Sequence, residues 1–262
     1  MWLPMLHPLL LQKADAYVAT WWQTAELLAS WRELKGERLY LIQHFEVWGG
    51  PEDEVRATWR APLKKIVIAK WLRDIAHEEG QEAYYIPNGL DFDKFGCDIP
   101  IRNRSPFSVA MLFHDYDWKG SPDGLGALKT VKAIFPGLKV ELFGVPDKPA
   151  SLPDWITYHQ KPSQKMLRAV YNRAAIFLAP SWAEGWGLPP SEAMTCGAAV
   201  VATDIGGHRE FCLEGQTALL APAKSPEALA KQIIRLMDDN EMRIQIAEQG
   251  NKFIQQFTWD RP

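Results

Sequence analysis

Cysteine is scarce in this chain: Cys97, Cys196 and Cys212 are the only three in 262 residues. They form no C-x-x-C pair and are odd in number, which argues against a disulfide framework and a zinc site and fits a reducing, cytoplasmic setting. No apolar run reaches the roughly 18 residues that a transmembrane helix needs. The start, MWLPMLHPLLLQ, is apolar but has no positive leader region and carries Pro4 and Pro8, so it does not read as a signal peptide. Charge of one sign is also lacking. The net charge is −3, which leaves no global basic field for nucleic acid. There is no internal repeat and no low-complexity tract. What is present is ordinary for a globular chain, 47% hydrophobic and 23% charged, apart from twelve tryptophans. Aromatic surface of that extent is used in cores or at contacts.

Short apolar β-rich runs alternate with helical stretches. KKIVIA, EAYYIP, FSVAMLF, LKVELFG, WITYHQ, AIFLAP, AAVVATD and ALLAP read as strands. Helices are expected through Trp71 to Ala76, over 125–135, from Ser163 to about Arg173, over 189–196, after Ser225-Pro226, and over 243–257. Such alternation means βαβ units, a parallel sheet and an α/β class. The strands are continuous apolar runs, as in a sheet covered on both faces. Residues 107–262 suffice for one complete doubly wound domain. The Gly-, Pro- and charge-bearing segment 96–106 reads as a linker. Residues 1–95 carry helices near 20–34 and 52–60 and strands at ERLYLIQ, KKIVIA and EAYYIP, about half of a second Rossmann-like domain.

In open α/β sheets ligands bind at the carboxyl ends of strands. The loop after AIFLAP reads SWAEGWGLPPSEAMTCG. Gly185 and Gly187 let backbone approach a ligand, and the helix opened by Pro189 and Pro190 offers free N–H groups and a positive dipole end to a phosphate. Glu184 precedes the glycines. Glu192, on the first turn of that helix, has the chemistry to accept two hydrogen bonds from a ribose diol. On residue types alone, a dipole-complementing Glu192 and a plain loop Glu184 stand equally well.

This stretch resembles the retaining glycosyltransferases of family 4, which have the GT-B fold. EGWGLPPSEAMTCG matches their signature of Glu, seven residues and Glu almost letter for letter. PNGLD, WKG, VVATDIGGHREF, GQTALLAP and FTWD match further family segments in the right order, over about Leu39 to Asp260. The resemblance implies that Glu184 contacts the donor sugar, Glu192 the ribose, and Lys119 the diphosphate. It also implies that the amides of Gly185, Trp186, Gly187 and Leu188 wrap the sugar and phosphate. His44, after LYLIQ, matches a cleft histidine that approaches the sugar; a buried histidine bonded to backbone is the alternative. His208 follows Gly206-Gly207 and is a further candidate for the donor pocket, whereas His77 and His159 read as structural.

Relatives commonly carry Arg where this chain has His114 in FHDYDWKG, and a neutral imidazole stabilises a leaving diphosphate less than a guanidinium fork. The glycine-rich first loop and first strands of the family's acceptor domain have no counterpart, and the final helix that crosses back is missing. The N-terminal half is therefore expected to be shortened. The implied reaction moves a glycosyl unit from a nucleotide diphosphate sugar to a hydroxyl of a glycan or lipid-linked acceptor, with retention, in glycan or polysaccharide synthesis.

The alternatives are a donor-binding subunit or split enzyme that needs a partner chain, and a GT-B sugar-nucleotide epimerase. Asp91-Phe92-Asp93 and Asp115-Tyr116-Asp117 are D-x-D triplets of the kind that holds a divalent metal in the other glycosyltransferase fold; metal independence is expected here. Arg56, Arg60, Lys64, Lys65, Lys70 and Arg73, with no acid between them, suit either a solvated face or a peripheral contact at the inner membrane surface. Trp2, Trp21, Trp22, Trp31, Trp48, Trp59 and Trp71 crowd a region short of covering elements. A homodimer or partner complex using residues 1–34 is therefore expected.

Overall fold

The computed structural model describes residues 12–31 and 33–260. The chain divides after Pro87 into two compact units. Each is built on a wholly parallel sheet, which fits the expected α/β class.

The first unit carries four strands in sequential order: β1 (Ala16–Ala19), β2 (Glu37–Ile42), β3 (Lys64–Val67) and β4 (Ala83–Tyr85). Helices α1 (Trp22–Ser30), α2 (Glu52–Arg60) and α3 (Lys70–Glu78) connect them. β1 has no counterpart in the sequence reading, since AYVA is too short to stand out between Asp15 and Thr20. It pairs with β2 in the register Val18 to Leu39. α2 begins after Pro51 with Glu52, Asp53 and Glu54 in its first turn and ends on Arg60, so charges complement the dipole at both ends. Tyr40, Ile42, Trp59, Val67 and Leu72 form the core of this unit.

Two expectations need correction here. Trp22 and Trp59 are 4% and 0% exposed, so these rings lie in the core rather than on an uncovered face. Trp2 lies outside the described residues. The basic window is also largely compensated, by acids distant in sequence. Arg56 pairs with Glu52 and Glu79, Arg60 with Glu79, and Lys64 with Glu37. Lys65 is buried and donates to the Ala61 carbonyl and to Gln81. Four of the six charges thus have partners within the unit, and Lys70 and Arg73 stand over the Tyr85 ring at 5.9 and 5.7 Å.

The second unit carries six strands: β5 (Ser108–Leu112), β6 (Lys139–Gly144), β7 (Ile156–Gln160), β8 (Ile176–Ala179), β9 (Ala199–Thr203) and β10 (Ala218–Ala221). Helices α4 (Ser121–Ile134), α5 (Gln164–Arg173), α6 (Leu188–Thr195), α7 (Pro226–Asp238) and α8 (Asn240–Ile254) complete it. α4 starts four residues before the expected Leu125, because Gly120 caps it in the left-handed region and Pro122 sits in its first turn. β8 and β9 are buried at every position, as continuous apolar strands of a doubly covered sheet should be.

The spatial order is β10-β9-β8-β5-β6-β7. The chain enters at β5, grows to β7 on one side, then returns to build β8 to β10 on the other. Strand order therefore reverses between β5 and β8, and the loops after those two strands flank the crevice where such sheets bind ligands.

The segment 96–106 is packed within this second unit. Asn172 Oδ1 on α5 accepts from the Asp98 and Ile99 amides, at 2.6 and 3.2 Å. Arg104 is buried and donates to the carbonyls of Ile99 and Ala174. Among the described residues no helix is long and apolar enough to cross a membrane.

Candidate active site

The loop after β5 closes on itself through Ser121, whose hydroxyl donates to the His114 carbonyl and accepts from the His114 amide, both at 2.9 Å. A 3₁₀ turn over Asp117–Lys119 follows, then Gly120 at φ +64°. A Cβ on Gly120 would run into the Pro180 carbonyl oxygen, so only glycine lets this loop lie against the end of β8. The Trp182 amide donates to the Trp118 carbonyl at 2.6 Å, and the Trp182 indole donates to Asp123 at 2.6 Å. Lys224 stands 4.4 Å from the Trp182 ring centroid. Trp182 thus ties together the loops that follow β5 and β8.

That tie brings Lys119 and Glu184 into contact, 65 positions apart in sequence. Lys119 Nζ lies 2.8 Å from Glu184 Oε1, which also accepts from Ser181 Oγ at 2.9 Å. Both side chains are largely buried, at 21% and 14% exposed, and share a recess with Leu112, Phe177, Pro180, Pro189 and Pro190. Glu184 thus has two partners, so its carboxylate keeps Ser181 if Lys119 is drawn to an anion.

The glycine loop interlocks with the turn after β9. Gly187 adopts φ +108°, and a Cβ there would lie 2.9 Å from His208 Cδ2. A Cβ on Gly207 would strike the Glu184 carbonyl. Thr203 on β9 donates its hydroxyl to the Ser181 carbonyl. Gly187 then caps α6, whose first residues are Leu188, Pro189 and Pro190. The amides of Gly187 and Leu188 therefore sit at a helix N-terminus, and those of Gly185 and Trp186 just before it. The Trp186 side chain belongs to the core, 2% exposed, with its ring centroid 5.0 Å from that of Phe257. Of Trp186, only the backbone is left for the expected role. The Leu188 side chain is 45% exposed.

Glu192 is half-buried on α6, and Tyr171 on α5 donates its phenol to Oε2 at 2.9 Å. Burial pushes the Glu192 carboxyl up to about 7, against the stabilising Tyr171 bond. His114 Nδ1 accepts from the Tyr116 amide at 3.1 Å, which leaves the ring proton on Nε2. Burial, then the charge of Lys119, lowers the pKa of His114. The His114 ring lies tilted against Tyr116, 4.4 Å between centroids, and lines a cavity of about 430 Å³ with Phe113, Asp115 and Leu125.

His208 does not open onto the surface: it is 0% exposed behind Gly187, with Nδ1 2.9 Å from the Thr203 carbonyl. Its expected place as a pocket wall is corrected to a place beneath the loop. Among the described residues no group of three or more His, Cys, Asp or Glu side chains is arranged to hold a metal ion.

His44 stands in the first unit, after β2. Its Nδ1 donates to the Phe45 carbonyl at 3.1 Å, and its ring meets Trp48 and Trp71 edge-on at 4.3 and 5.6 Å.

Tyr171, Ser181, Thr203 and Trp182 were not singled out in the sequence. Tyr171 is one apolar-face residue of α5 among several, and the hydroxyls act only through long-range contacts that no local motif announces.

Residues 146–253 match the Glycosyl transferases group 1 family. The D-inositol 3-phosphate glycosyltransferase of Corynebacterium glutamicum is 33% identical over 152 residues, 50% of this chain and 36% of that protein. The phosphatidyl-myo-inositol mannosyltransferase of Mycolicibacterium smegmatis is 25% identical over 191 residues, 69% and 49% respectively. The matches to these two thus span between a third and a half of their length.

Among solved structures, sucrose-phosphate synthase from Thermosynechococcus elongatus aligns with TM-score 0.79 at 20% identity, over 94% of this chain and 70% of its own. Anabaena HepE in complex with UDP and glucose aligns with TM-score 0.79 at 18% identity, over 93% and 74%. Residues 146–253, within the second unit, thus match the Glycosyl transferases group 1 family, and the two parallel sheets have the fold of the GT-B glycosyltransferases.

Proposed function

We propose that this chain is a retaining, metal-independent glycosyltransferase of family 4. It transfers a glycosyl unit from a nucleotide diphosphate sugar to a hydroxyl of a glycan or lipid-linked acceptor. The observation that carries this reading is the Lys119–Glu184 pair, which spans the β5/β8 switch point at the N-terminus of α6.

Each part of the site has a task in that chemistry. The departing diphosphate gains negative charge as the glycosidic bond breaks. In this reading Lys119, the amides of Gly185 to Leu188 and the dipole of α6 stabilise that charge. Glu184, released from Lys119 by the phosphate, is left to hold sugar hydroxyls. Glu192 accepts the ribose diol. With the acceptor attacking from the leaving-group face, no enzyme nucleophile is needed. His114, kept neutral, contributes a hydrogen bond from Nε2 rather than a charge. A cytoplasmic location at the inner membrane surface fits a lipid-linked acceptor, the kind of substrate named for the mannosyltransferase relative.

The test is a transfer assay with UDP- and GDP-sugars and a panel of glycan and lipid-linked acceptors, read by proton NMR of the anomeric centre. The expected product keeps the donor's anomeric configuration. An inverted product overturns the mechanism. Donor binding without transfer favours the reading as a donor-binding subunit.

A further inference from the structure

His208 is fully buried, yet its Nε2 finds no hydrogen-bond partner among the described residues. The partner of its other nitrogen decides the tautomer. Nδ1 lies 2.9 Å from the Thr203 carbonyl, and a carbonyl only accepts, so the neutral ring carries its proton on Nδ1. Nε2 is then a bare lone pair in the interior, an arrangement that is costly when left unsatisfied.

The orphan nitrogen has a direction. A Cβ placed on Gly187 would lie 3.3 Å from Nε2 and 2.9 Å from Cδ2. The Cδ2–Nε2 edge of the ring therefore faces Gly187, where no side chain intervenes, at the cap of α6. The charged groups that act on the ring come from three loops. Glu184 and Asp204 favour the imidazolium, Lys119 opposes it, and burial outweighs them all and keeps the ring neutral. An anion seated on the loop changes two of these influences in the same direction. Its own charge favours imidazolium, and it compensates the charge of Lys119.

We propose that His208 is the charge-compensating residue beneath the phosphate site, taking a proton from solvent onto Nε2 when a diphosphate seats on the Gly185–Gly187 loop. The proposal rests on the donor-site reading above and adds to it a proton that binding must take up. No other bond forms or breaks in this step. The diphosphate gains one negative charge when its bond to the sugar breaks, so the imidazolium stabilises the departing group more than the intact donor. Affinity for the diphosphate should then weaken as pH rises through neutrality.

Calorimetric titration with UDP, and with inorganic pyrophosphate as a base-free probe, tests this at pH 7.5 in buffers of different ionisation enthalpy. His208→Asn keeps an N–H for the Thr203 carbonyl but cannot be protonated. The wild type should take up roughly half a proton more per ligand than this variant. Equal proton counts overturn the proposal. A second readout needs no substitution: in ¹⁵N-histidine spectra of the wild type, one neutral Nδ1–H ring should convert to imidazolium on adding pyrophosphate. Rings that all keep their tautomers overturn it as well. Binding without extra proton uptake defeats this proposal alone, whereas a wild type that binds neither probe defeats the donor-site reading with it.

Discussion

Each unit buries one glutamate beside a tyrosine hydroxyl, and the two pairs differ in what else holds them. Glu46 in the first unit is 5% exposed, and its Oε2 accepts from the Trp22 amide at 2.8 Å and the Tyr40 phenol at 3.4 Å. Glu192 in the second unit has its Tyr171 bond and lies on α6, just past the glycine loop. Burial pushes both carboxyls up to about 7. The same shift therefore accompanies a structural clasp in one unit and a candidate ligand contact in the other. Placement at a sheet's switch point separates the two; the perturbed titration does not.

Gly120→Ala should have the largest effect. Its Cβ would meet the Pro180 carbonyl from a left-handed backbone, so unfolding of the second unit should ease by about 3 kcal/mol or more. Urea denaturation with probes in each unit checks that the first is spared. Glu46→Ala should come next. It leaves the Trp22 amide and the Tyr40 phenol without their acceptor and should cost about 2–3 kcal/mol, with nucleoside diphosphate affinity unchanged.

The pH sign for Glu46 follows from its raised pKa. The folded state resists ionising the carboxyl, so the stability it contributes is complete at low pH and is lost as pH rises from the ordinary carboxylate range through about 7. Melting temperature should fall over that window in the wild type and stay flatter in Glu46→Gln. Lys119→Met should weaken nucleoside diphosphate binding by about 1.5–3 kcal/mol, with melting little changed. The smallest expected effect is none: EDTA should leave that binding intact, and loss restored by manganese would revive the role of Asp115 and Asp117.

What the sequence revealed follows the range of the interactions involved. The bounds of α2 were legible because Pro51, three acids and Arg60 mark its ends locally. The loop from Ser181 to Gly197 was legible because one continuous phrase carries both glutamates, Gly185, Gly187 and the two prolines. The place of His208 was not. It depends on Gly187 meeting a turn some twenty positions later, and residue types do not show which face of Gly187 the ring occupies. The packing of 96–106 was hidden for the same reason, since Arg104 and Asn172 organise it from opposite ends of a long connection. The ion pairs of the basic window were hidden because its acids, Glu37 and Glu79, lie outside the window that was read.

The most direct measurement is a calorimetric titration of a panel of nucleoside diphosphates against the wild type, Glu192→Ala and Glu46→Gln. The account predicts that the wild type binds at least one of them. Glu192→Ala, still folded, should lose about ten- to a hundredfold in affinity, the worth of a charge-assisted hydrogen bond. Glu46→Gln should bind as the wild type does. A wild type that binds none of the panel, or a folded Glu192→Ala that binds as well as the wild type, would contradict it.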